Sequence, residues 1–132
     1  MAPVDVLLSQ ADQADQAEDV VDTVVQPDVL VVCDPHKVTP RGIRGAPDWV
    51  LEVISPASAS HDQIIKLAAY ERVGVREYWL AHPADQVLAI YRLDGSTYGR
   101  PQIVELTGEA PVGVLAGVTI RWEPVVTRLL TP

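Results

Sequence analysis

Cysteine is nearly absent from this chain: Cys33 is the only one, so no internal disulfide can form. A domain held together without disulfides fits a reducing compartment, and the expectation is cytoplasmic. The N-terminus carries no basic segment followed by an apolar stretch, and no run is long enough to span a bilayer, so neither a secretory leader nor a membrane span is expected. Basic residues are also scarce, 10 against 18 acidic, for a formal net charge of −8. That balance counts against a protein that grips nucleic acid by charge alone. Much of the excess is local, in Asp12, Asp15, Glu18, Asp19 and Asp22, within a Gln- and Ala-rich stretch that reads as a loop; beyond it the charges nearly balance.

What is present is enough apolar material for one core: 48% of 132 residues. No internal repeat or second domain is evident, and residues 1–132 read as a single domain. Val4 to Leu8 reads as a short strand, and the β-branched run Val24 to Cys33 as a longer one. Pro27 removes a backbone donor inside that run, so an edge position, a bulge or a break in pairing is expected there, with Asp28 immediately after it. Asp34 to Pro47, with three prolines and two glycines, reads as a connecting loop with one helical turn near His36. Trp49 to Ile54 is apolar on both faces, the pattern of a central strand, and Glu52 is its one charge. Such a carboxylate must be solvated, paired or bound to a cation.

Ser60 and Gln63 match a capping box, Asp62 adds favourable charge in the first turn, and Gly74 supplies a stop, predicting a helix to about Val73. Glu77 to Ala81, Val87 to Leu93, Ile103 to Leu106 and Val118 to Trp122 read as further strands. Asp94-Gly95 signals a hairpin, and a short helix is expected after Pro124. The apolar side chains of Tyr78, Trp79, Leu88, Ile90 and Tyr91 suit a homodimer contact as well as a core.

This order puts Asp28 and Glu52 on strands that can be neighbours. Two converging carboxylates form a hard oxygen site for Mg2+, with Mn2+ as a substitute and the Val53 carbonyl as an additional ligand. Asp48 shares strand parity with Glu52, but four residues of strand separate them by roughly 13 Å, too far to share one ion. Two residues beyond Glu52, on the same face, stands Ile54. The nearest lysine is Lys66 on the following helix, in one stripe with Gln63 and Tyr70. From there an ammonium can orient water or stabilise charge on a reacting phosphoryl group.

The plainer readings are a turn carboxylate for Asp28, an ion pair to Arg44 or Arg76 for Glu52, a solvated helix face for Lys66 and Gln63, and packing for Tyr70. Cys33, Asp34 and His36 lie close together but are too few for a structural zinc site. Ser55 and Ser58 have no recognisable base, which argues against a hydrolytic triad.

The stretches VVQPDVLVVCDP, RGIRGAPDWVLEVISP and KLAAYERVGVREYWLAHP, in this order, resemble the Uma-two family of bacterial restriction endonuclease-like proteins, from about Ala2 to Leu130. The resemblance implies a PD-(D/E)xK fold: α/β, a mixed sheet flanked by helices, with an added β-hairpin. It assigns Asp28 and Glu52 to the family's acidic positions and Lys66 to its helix lysine. The implied activity is Mg2+-dependent hydrolysis of DNA phosphodiesters. Members usually carry an N-terminal helical region before the first strand, and this sequence reads as lacking it. That feature, the acidic balance and Ile54 motivate an alternative, a non-catalytic dimeric module that keeps the nuclease fold.

Overall fold

The computed structural model describes residues 5–8, 23–55, 60–113, 115 and 117–122. The acidic stretch between Asp12 and Asp22 and the helix expected after Pro124 lie outside these residues.

The β-branched runs and the apolar strand around Glu52 build a mixed five-stranded sheet, in the order β3 (Val29–Val31), β6 (Trp49–Val53), β7 (Glu77–His82), β8 (Val87–Arg92), β9 (Gln102–Glu105). Its one parallel pair is β6–β7. Parallel neighbours need a crossover, and α1 (Ser60–Val73) supplies it. Gly74, at φ +88°, ends the helix in the left-handed conformation that glycine adopts without strain. This is the restriction endonuclease-like α/β arrangement, with a single α-helix among the described residues.

A four-stranded sheet, in the order β2 (Thr23–Val25), β1 (Val6–Leu8), β5 (Gly42–Arg44), β4 (Val38–Thr39), lies beside it. The expected run from Val24 to Cys33 is therefore two strands in two sheets. The chain leaves one at Gln26 and enters the other after Pro27, whose missing donor favours such a break. The segment Asp34 to Pro47 has the helical turn expected near His36, as a 3-10 turn at Pro35–Lys37, but it is not otherwise all loop: it also holds the β4–β5 pair. Gly42 is required there: at φ +127°, an added Cβ would collide with the Asp5 carbonyl oxygen.

The central sheet is buried on both faces. Val50, Tyr78 and Leu80 point toward α1 and pack with Tyr70, Val6 and Leu8. On the other face, Trp49, Leu51, Trp79 and Ala81 are covered by residues of the β10 (Glu109–Pro111) and β11 (Thr119–Arg121) hairpin and by Trp122. Tyr78, Trp79, Leu88 and Ile90 are thus core residues within the chain, which removes them as a homodimer surface.

Candidate active site

Strand parity on β6 turns Glu52 to the same face as Val50, toward α1. The antiparallel register of β3 with β6 pairs Val29 with Leu51 and Leu30 with Val50. One further step along that register sets Asp28 opposite Glu52, so both carboxylates rise from one face. β3 ends there, leaving the Val53 amide without a ladder partner on that side. Asp28 takes it instead: its Oδ2 accepts from the Val53 N–H at 2.7 Å. The proline break thus converts a backbone pairing position into a side-chain one, and it pins Asp28 beside Glu52.

Glu52 is 4% exposed. Its Oε1 accepts from the Lys66 ammonium at 3.1 Å, and its Oε2 faces the Tyr78 hydroxyl at 3.4 Å, long for such a donor. Burial pushes the carboxyl above its ordinary pKa; Lys66 pulls it back, and the charge of Asp28 pushes it further up. Lys66 also lies 3.5 Å from Asp62, one helical turn before it. Burial alone would lower the Lys66 pKa, but the hydrogen bond and charge of Glu52, then of Asp62, outweigh it, and the net shift is upward.

These groups line one open cleft of about 200 Å³, walled by Gln26, Asp28, Glu52, Val53, Ile54, Asp62, Gln63, Lys66 and Tyr78. Ile54, at the position where Glu-x-Lys would put a lysine, contributes an apolar wall, while the cation arrives from α1. Tyr70 lies behind the cleft, fully buried. Asp48 sits just before the far end of β6, accepting from the Cys33 N–H at 2.7 Å and from Arg76 at 3.2 Å. Arg76 is therefore engaged with Asp48, and the cation on Glu52 is a lysine.

Three members of the cleft, Gln26, Asp62 and Tyr78, were not legible as such, Gln26 because nothing in the β-branched run sets it apart. Asp62 had a local signal, its i,i+4 spacing from Lys66, but was read only as a first-turn charge. Tyr78 looked like any aromatic of a core strand. Cys33, Asp34 and His36 do not converge. His36 bonds locally to Asp34, at 3.1 Å between Nδ1 and Oδ1, and Cys33 is exposed. Among the described residues, no group of three or more His, Cys, Asp or Glu side chains could hold a metal ion. Asp28 and Glu52 line the same cleft, and two carboxylates are donors of the type a hard cation takes while keeping several waters. No helix among the described residues is long and apolar enough to cross a membrane.

The profile of a family described as "Uma2: Putative restriction endonuclease" matches residues 14–123. Among solved structures, the chain is similar to one described as "a putative nuclease belonging to DUF820" from Anabaena variabilis, with a TM-score of 0.67 and 18% identity over 98% of this chain and 68% of that one. At that identity the likeness is one of fold. No curated protein matches.

Proposed function

The chain belongs to the Uma2 family, which has a nuclease fold, and on that premise we propose that it is a Mg2+-dependent endonuclease hydrolysing DNA phosphodiester bonds. The observation that carries this reading is the convergence of Asp28, Glu52 and Lys66 on one open cleft, two carboxylates facing across neighbouring strands and an ammonium on one of them. Asp28 and Glu52 would hold the cation, with the Val53 carbonyl as a further oxygen. Bound there, Mg2+ would polarise a phosphoryl oxygen and lower the pKa of a coordinated water. Lys66 would orient that water or offset charge on the phosphoryl oxygens, and Asp62 holds the ammonium from its other side.

The net charge of −8 is the observation that favours a second reading, a non-catalytic module that has kept the fold for a partner. Incubating the purified protein with plasmid and linear DNA in Mg2+ or Mn2+ separates the two. The nuclease reading expects cleavage that requires the cation and disappears in Glu52→Ala. Absence of cleavage with either ion, or cleavage unchanged in that variant, would sink it.

A further inference from the structure

Buried hydroxyls in folded proteins nearly always have a hydrogen-bond partner, since an unmet donor in the interior costs stability. Tyr70 departs from this. Its side chain is wholly buried, yet its hydroxyl makes no hydrogen bond of good geometry among the described residues, although it stands near enough to Glu52 to favour the ionised carboxylate. The neighbouring tyrosines are satisfied: Tyr98 donates to the Val75 carbonyl at 2.7 Å, and Tyr78 reaches Glu52. Tyr70 packs against Tyr78 with ring centroids 4.8 Å apart, close enough to Glu52 for the carboxylate charge to act on its phenol. It also follows Lys66 by four residues on α1, so ammonium and hydroxyl approach the same carboxylate from one helical stripe. Each oxygen of the carboxylate has one donor, Lys66 on Oε1 at 3.1 Å and Tyr78 on Oε2 at a long 3.4 Å, so lone pairs remain for a further hydroxyl.

We infer that Tyr70 is a positioning residue for Glu52, its hydroxyl taking up the carboxylate when a divalent cation in the cleft displaces the Lys66 ammonium. The exchange moves no proton and breaks no covalent bond. Lys66 keeps Asp62 as its remaining partner, and Glu52 keeps two donors behind it, Tyr78 and Tyr70. The carboxylate is thereby held with its cleft-facing edge toward the ion. This inference rests on the metal-site reading above for the identity of the displacing cation.

Two measurements test it. In the metal-free protein at mildly alkaline pH, Lys66→Met removes the competing ammonium. The near-ultraviolet difference spectrum against wild type should then show a tyrosine red shift, which should vanish when the same comparison is made in a Tyr70→Phe background. An unchanged spectrum, or a shift that survives in that background, overturns the role. The second measurement is Mn2+ titration by calorimetry. Tyr70→Phe should weaken binding several-fold, while Tyr98→Phe, which loses a structural hydrogen bond, should leave it unchanged at equal folded fraction; equal affinity of Tyr70→Phe and wild type contradicts the inference. No Mn2+ binding by wild type would overturn the metal-site reading, and the Lys66→Met spectrum still decides the Tyr70 partnership separately.

Discussion

Two glutamates lie on neighbouring strands of the central sheet, Glu52 on β6 and Glu77 on β7, and both are almost fully buried, at 4% and 2% exposure. They face opposite sides. Glu77 looks into the tryptophan-rich face, where its Oε1 accepts from the Trp79 indole at 3.0 Å and the Gly113 N–H at 3.3 Å and lies 3.6 Å from Arg92. Gly113 is pressed so close that an added Cβ would stand 2.6 Å from Oε2. Glu52 looks toward α1, has one cation and one long hydroxyl contact, faces a second carboxylate, and opens on a cleft. Burial of a charge is therefore no sign of chemistry in itself. A carboxylate closed in by neutral donors and a cation holds the fold together; one left beside another carboxylate at the wall of an open cleft has room for a ligand.

The sharpest break between the two concerns activity. Glu52→Ala should reduce Mg2+-dependent DNA cleavage by about a hundredfold or more, measured as initial rates at saturating cation. Glu77→Ala should act on folding instead, losing about 2–4 kcal/mol in denaturant unfolding, because it strips acceptors from a buried indole and a backbone amide. If Glu77→Ala proved as stable as wild type, the structural role assigned to it would be wrong. Gly113→Ala should cost less, about 1–3 kcal/mol, since the loop or Glu77 must shift to admit the methyl group.

The smallest expected effect is in the pH dependence of stability. Burial raises the pKa of Glu52 in the folded state, so the folded chain binds that proton more tightly than the unfolded chain. This group's contribution therefore falls as pH rises from the ordinary carboxylate range through the raised value. Without metal, Glu52→Gln should be the more stable protein above that window, and the difference should shrink as pH drops below it. Chemical denaturation across that range checks the sign, and a variant less stable than wild type at neutral pH would contradict it.

The same contrast explains what could be read in the sequence. That Asp28, Glu52 and Lys66 line one cleft was legible because local rules place them: a proline break before Asp28, one charge in an apolar strand, and a helix bounded by Ser60 and Gly74. Each sits within one element, or at the junction of two consecutive ones. Glu77 was not legible as a buried residue, because the backbone that closes over it is at Gly113, far along the chain. The β4–β5 pair was missed for a similar reason. Its short strands lie among prolines and glycines, and β5 is held by parallel pairing to β1, a contact that no local pattern announces. Tyr70, read as a packing residue, does pack; its unmet hydroxyl is visible only once Tyr78 and Glu52 are placed beside it.

The account turns on whether Asp28 and Glu52 share an ion. A crystal structure of the protein soaked in Mn2+, with anomalous data, tests this directly. It should show one peak between the two carboxylates, with Lys66 drawn away from Glu52. A map with no peak there, and Lys66 still bonded to Glu52 at high Mn2+, would contradict the reading of this cleft as a metal site.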